Sequence, residues 1–307
     1  MSESRHHELL PLGEGDLPYS KGLLARALMA TGVSAERAYE LAQRVEEDLS
    51  VRRETAADPG RLEDLAQEVL GEDGGARIVR RLRRYEELKE LDVPVVLLVG
   101  GATGTGKSTV ATEVAYRLGI TRVTSTDVVR QTMRAFFSNE FMPSIHASSF
   151  EAATAATGGD ADVDPVLIGF LEQTRNVLVG VRAVVERALQ EGWSTVIEGV
   201  HLVPGLLAPV EGAVVVHCVL AIDDEVDHAS HFWVRDAASD GLRPVQKYLD
   251  ALDDIRLIQD EIVDRARRAG SPVLVNTEME RTVATVMELV LESAEQHSLV
   301  GAYGRDG

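Results

Sequence analysis

An unbroken apolar run, Pro94-Val95-Val96-Leu97-Leu98-Val99, feeds directly into Gly100-Gly101-Ala102-Thr103-Gly104-Thr105-Gly106-Lys107-Ser108-Thr109. A strand with no polar alternation is buried on both faces, which calls for a parallel sheet covered by helices on either side. Gly101–Ser108 fits G-x-x-x-x-G-K-[ST], and Val110, Val114, Ala115 and Leu118 carry a helical apolar period after it. In such a strand–loop–helix unit, glycines let backbone N–H groups turn inward around an anion, at the positive end of a helix. Gly101, Ala102, Thr103, Gly104, Thr105, Gly106, Lys107, Ser108 and Thr109 are therefore the expected nucleotide contacts. Lys107 is placed to reach the β- and γ-phosphates of ATP, and the Ser108 hydroxyl to ligate Mg²⁺. A chance match in a glycine-rich turn is the alternative, and the flanking strand and helix weigh against it.

From Pro94 onward strand and helix patterns alternate. Strands are expected at 94–99, 122–125, 194–198, 213–221 and 272–276. Helices are expected at 107–118, 127–137, 147–156, about 165–190, 223–238, 245–268 and 279–295. The small-residue stretch Ala152–Asp162 reads as an exposed, mobile turn. Residues 1–92 show no convincing strand. Leu23, Leu24, Ala27 and Leu28 share one helical face there, Ala38, Leu41, Ala42, Val45 and Leu49 a second, and Leu62, Leu65, Ala66 and Val69 a third. A fourth helix, formed by Ile78, Val79, Leu82, Tyr85 and Leu88, is rich in arginine on its outer face, and Ser34 is the expected N-cap of the second. The expected fold is α/β: a three-layer P-loop NTPase-type domain with a mainly parallel sheet, like a nucleoside monophosphate kinase, at 93–307. A small all-helical domain at 1–92 precedes it.

The charge balance narrows the partners. With 31 basic and 50 acidic residues in 307, the net charge is −19, which repels nucleic acid and anionic membranes overall. A phosphorylated metabolite can still bind where a few arginines concentrate. A single cysteine, Cys218, excludes an internal disulfide and suits a reducing compartment. The N-terminus lacks the apolar core of a signal peptide and no run is long enough to span a bilayer, so the expected location is the cytoplasm. Oligomeric state is left open, a homo-oligomer included.

A phosphate loop alone does not distinguish a kinase from a switch or a motor. Asp127 sits where the second strand opens into a helix, at the sheet edge where ligands of open α/β sheets bind. Asp127, Arg130 and Arg134 fall at i, i+3 and i+7, within about 60° of helical arc. A carboxylate able to accept a hydroxyl proton or hold Mg²⁺ thus shares a face with two guanidiniums suited to phosphate or carboxylate. A solvated Asp127–Arg130 surface pair is the plain alternative. Glu198 ends the third strand before Gly199, where a carboxylate can hold Mg²⁺ through water or steady the attacking group, and it and His201 are candidate substrate contacts; a charged residue leaving a buried strand is the plain alternative. His146, Ser148 and Ser149 follow Met142-Pro143 and offer an imidazole and two hydroxyls. His228, His231 and Arg235 share another helical face, followed by Gly241 and Arg243, as a closing lid would require, with Arg235 over the transferring phosphoryl group. Asn276, just past the last strand, is a candidate hydrogen-bond partner for adenine or a simple turn residue. No cysteine pair or H-E-x-x-H spacing supports zinc.

Several blocks in order resemble the 2-phosphoglycerate kinase family: GGATGTGKST, LGITRVTSTDVVRQTMR, FMPSIHASSFEA, VIEGVHLVPG, HFWVRD and YLDALDDIRLIQDEIV. The resemblance runs from about residue 94 to 276. The stretch LPYSKGLLARALMATGVSAERAYELAQRVEEDL is similar to the helical part of an ATP-cone domain, without its glycine-containing β-hairpin. The resemblance implies transfer of the ATP γ-phosphoryl group to the 3-hydroxyl of 2-phospho-D-glycerate, yielding 2,3-bisphosphoglycerate and ADP with Mg²⁺. A kinase of another phosphorylated hydroxy acid such as 3-phosphoglycerate, or a regulatory ATP-binding protein, are the alternative readings.

Overall fold

In a computed structural model describing residues 19–56, 59–152, 163–238 and 245–303, the alternating pattern folds around a five-stranded parallel sheet. The strands are β1 (Val95–Gly101), β2 (Val123–Ser125), β3 (Thr195–Glu198), β4 (Val214–Ala221) and β5 (Val273–Val275), ordered β2-β3-β1-β4-β5. All residues of β1 are buried, as an apolar central strand requires. Its position between β3 and β4 makes its carboxyl end the point where the chain's connections diverge to opposite sides, the usual place for a ligand crevice. The register sets Val99 beside Glu198 on one side and Cys218 on the other. Cys218 is fully buried, and desolvation pushes its thiol up to about 12, so it is a core residue.

The chain divides into two compact units, Met1–Asp92 with Val283–Gly307, and Val93–Thr282. In the first, α1 (Lys21–Ala30), α2 (Ala35–Arg52), α3 (Pro59–Leu70) and α4 (Glu72–Glu90) bury most of the apolar faces expected of them, among them Leu28, Leu41, Leu62 and Leu82, whereas Leu23 stays exposed. Ser34 occupies the N-cap of α2 in extended geometry, but its hydroxyl makes no capping hydrogen bond. The last helix, α11 (Met279–Tyr303), contributes its residues from Val283 onward to this unit rather than to the sheet-bearing part. Val283, Val286, Met287, Val290 and Leu291 are fully buried, and Glu288 takes Arg81 at 2.8 Å and Arg84 at 2.6 Å.

In the second unit the sheet is covered by α5 (Lys107–Leu118), α6 (Thr126–Phe136), α7 (Pro165–Gln190), α8 (Glu225–Ala238), α9 (Val245–Asp250) and α10 (Leu252–Ala269). Successive strand residues face opposite sides. Val96 and Leu98 of β1 and Ile197 of β3 pack with Val129 of α6 and Val177, Val181 and Val185 of α7. The equally buried Leu97 and Val99 are left for the other face, and α5 lies against β1, β2 and β3. Gln259 in α10 is buried among the helix's apolar residues. Its side chain takes both backbone groups of Ile222, at 3.0 and 2.9 Å, and closes the end of β4.

Two helical expectations are corrected. Residues 147–152 form turns rather than a helix, after a short 3₁₀ turn at Pro143–His146. The Ala147 carbonyl, which a helix would use internally, is taken instead by the side chains of Arg130 and Gln173. The expected helix over 245–268 breaks at Ala251, so that Tyr248 stacks on Phe232 (5.1 Å between centroids) while Ile255, Ile258 and Ile262 point into the core. The mobile turn expected at 153–162 lies outside the described residues. Among the described residues, no helix is long and apolar enough to cross a membrane.

Candidate active site

The glycine loop closes on itself through Ala102, whose carbonyl accepts from the Thr105 hydroxyl at 3.0 Å and from Lys107 Nζ at 2.6 Å. Lys107 is buried. Desolvation draws its pKa below the usual lysine range, opposed by the negative charges of Glu198 and Asp127. An ammonium held on a neutral carbonyl in this way is ready to exchange it for an anion. Gly106 begins α5 with φ +82°, and a Cβ there would run into the Asn276 side-chain amide. Asn276 spends that amide on the carbonyl of Thr105 at 3.0 Å, and its own N–H on Ala221 at 2.9 Å. It therefore braces the loop and also lines the cavity beside it, while its buried Oδ1 has no hydrogen-bond partner among the described residues.

A cavity of about 1230 Å³ opens above the loop. One wall carries Lys107, Ser108 and Thr109; another carries Asp127 and Arg130 of α6; Ser148 and Ser149 of the turn and Glu198 of β3 also line it. Ser125 caps α6 by accepting from the Asp127 N–H, and the Asp127 side chain is 64% exposed to the cavity mouth. Arg130 Nε stands 3.4 Å from Asp127 Oδ1, while its Nη1 donates to Ile145 and Ala147 carbonyls at 3.0 and 2.8 Å. These bonds hold the guanidinium still before any ligand arrives.

Three expected ligand contacts lie elsewhere. Arg134, a turn beyond Arg130, does not line the cavity. His146 donates through Nε2 to the carbonyl of Phe137 at 2.9 Å and holds the turn. His201 is fully buried, with Nδ1 2.8 Å from Thr126 Oγ1 and Nε2 2.9 Å from Gln173 Oε1. Gln173 uses its amide N–H groups on the carbonyls of Ser144 and Ala147, so its Oε1 must accept. His201 is accordingly the Nε2–H tautomer, and Thr126 donates to its Nδ1. Burial pulls its pKa down to about 4. The imidazole thus links the start of α6 to the turn carrying Ser148 and Ser149, instead of touching a ligand. Gly199 makes the link tight: at φ +151° it lets β3 pass so near Thr126 that a Cβ would overlap the threonine hydroxyl.

The arrangement of α8 was not legible in the sequence beyond its shared face. His228 Nε2 donates to the carbonyl of Thr103 and His231 Nδ1 to that of Gly104, both at 2.8 Å. The helix thus grips the phosphate loop, and His231 lines the cavity with it. His228 stacks on Phe232, Phe232 on Tyr248, and Tyr248 meets Phe150 edge-on. The backbone of α8 includes Arg235, whose side chain lies outside the described residues, as do Gly241 and Arg243.

The donor set suits a magnesium nucleotide. The lining offers a helix-start hydroxyl and two carboxylates, hard oxygen donors of the kind that hold Mg²⁺ together with phosphates. Among the described residues no cluster of three or more His, Cys, Asp or Glu is placed to hold a metal alone.

No protein-family model matches the chain. It is 37% identical over 280 residues to the 2-phosphoglycerate kinase of Thermococcus kodakarensis, covering 91% of this chain and 95% of that protein. It is 36% identical over 276 residues to that of Pyrococcus horikoshii, covering 90% of each. It is 35% identical over 288 residues to that of Methanothermobacter thermautotrophicus, covering 93% and 94%.

Proposed function

We propose that this chain, which belongs to the 2-phosphoglycerate kinase family, moves the γ-phosphoryl group of ATP to the 3-hydroxyl of 2-phospho-D-glycerate, giving 2,3-bisphosphoglycerate and ADP in the cytoplasm. The observation that carries this reading is the two-sided cavity. A phosphate loop forms one wall, and a fixed carboxylate–guanidinium pair forms the other.

The inward N–H groups of the loop and Lys107 bind the triphosphate, with Lys107 leaving the Ala102 carbonyl for phosphate oxygens. Ser108 and Asp127 would hold Mg²⁺, which when bound offsets charge on the phosphoryl oxygens. Arg130 takes the carboxylate or phosphate of the acceptor, and Ser148 and Ser149 supply further hydrogen bonds. Asp127 orients the 3-hydroxyl and accepts its proton. The new oxygen–phosphorus bond forms as the bond to the β,γ-bridging oxygen breaks, and ADP leaves with that electron pair. Most of the rate enhancement comes from positioning and charge stabilisation, since phosphoryl transfer asks little covalent chemistry of the protein.

Phosphorus NMR of the product formed from 2-phosphoglycerate and Mg–ATP tests the site of transfer. The expected product has two phosphate monoesters. An acyl phosphate or a pyrophosphate would overturn the assignment of the hydroxyl.

A further inference from the structure

The cavity is short of positive charge for what it is to hold. Among the described residues, the permanent cations lining it are Lys107 and Arg130, balanced by Asp127 and Glu198. Lys107 belongs to the nucleotide side, and one nitrogen of Arg130 is already spent on two carbonyls. A triphosphate and a phosphorylated acid together bring many more negative charges than these two groups offset.

Another cation stands at the rim. Lys247 of α9 has its Nζ 2.9 Å from Glu151 Oε2 and 3.4 Å from Ser148 Oγ, and Ser148 itself lines the cavity. The hydrogen bond from Lys247 is the main reason the Glu151 carboxyl lies below its ordinary range. Both side chains are 46% exposed, so this ion pair is weakly held and easily exchanged. Tyr248 and Phe150, the immediate neighbours of the pair's two ends, meet edge-on and keep α9 against the turn.

We propose that Lys247 is a second acceptor-binding cation, parked on Glu151 until the anionic acceptor takes it over. Glu151 then acts as an internal competitor, a carboxylate standing where the acceptor's own anionic group binds. This inference rests on the reading of the Ser148–Arg130 side of the cavity as the acceptor side.

The two partners of the pair therefore act in opposite directions. Lys247→Ala should raise the KM for 2-phosphoglycerate by about tenfold or more, with the KM for ATP unchanged, because a charge-assisted contact is lost. Lys247→Arg should restore most of the affinity. Glu151→Gln should lower the same KM, by up to about fivefold, because an exposed ion pair no longer competes. The double variant should behave like Lys247→Ala. If the pair is only a strap holding α9 to the turn, both single variants would weaken acceptor binding, and that result overturns the proposal. Equal changes in both KM values would also overturn it. If wild-type enzyme prefers a different phosphorylated acid, the same variants are compared on that acid, so the acceptor assignment and the role of Lys247 fail separately.

Discussion

At the scale of single residues, His201 shows how a side chain can serve a site it never touches. Its neutral imidazole accepts a hydrogen bond from Thr126 and donates one to Gln173, and both bonds depend on that tautomer. The folded protein holds its pKa near 4 against 6.5 for the free group, so on acidification the unfolded chain binds the proton first. The stabilising contribution is complete above pH 6.5 and is lost as pH falls towards about 4. Urea unfolding across that range should show His201→Asn with a shallower loss than wild type, whatever its starting stability; identical slopes would refute the relay. Arg130 and Arg134 make a second contrast. Arg130→Ala should raise the KM for the acid about tenfold more than that for ATP, the worth of a charge-assisted contact. Arg134→Ala, outside the lining, should change either KM by less than about twofold. Steady-state kinetics of both variants decide this, and equal effects would return Arg134 to the acceptor site.

At the scale of elements, the sheet was legible and the connecting turns were not. Apolar runs and the glycine loop locate β1 and α5 because each local preference agrees with the fold. The turn at 147–152 was hidden because its backbone is organised by Arg130 and Gln173, which arrive from α6 and α7. Likewise the face of α8 was visible as His228 and His231, but only packing reveals that their ring nitrogens meet the carbonyls of Thr103 and Gly104. Charge burial at α5 has a consequence of the same kind. Arg117, 1% exposed, pairs with Glu113 of its own helix at 2.7 Å and with Glu280 at the start of α11 at 2.8 Å. Replacing both acids by glutamine should cost about 3 kcal/mol or more, because the buried guanidinium is orphaned. Arg117→Met should cost less than half as much in the same urea titration, since it removes the buried charge and leaves glutamates that water can reach.

At the scale of the whole molecule, a strongly acidic chain gathers a few cations around one cavity, and every residue lining that cavity falls within Val93–Thr282. On the proposed reading, selectivity among small acids depends on whether phosphate, carboxylate and hydroxyl reach Arg130, the Ser148–Ser149 turn and Asp127 together. An acid lacking the phosphate leaves charged groups unanswered, which is a severe discrimination, whereas moving the phosphate by one carbon is a milder one. The most direct test is Mg–ATP-dependent ADP release by the full chain across 2-phosphoglycerate, 3-phosphoglycerate and glycerate. The kcat/KM for 2-phosphoglycerate should be about tenfold or more above that for 3-phosphoglycerate, and about a hundredfold or more above that for glycerate. ADP release that does not depend on the acid, or that treats the three alike, would contradict it.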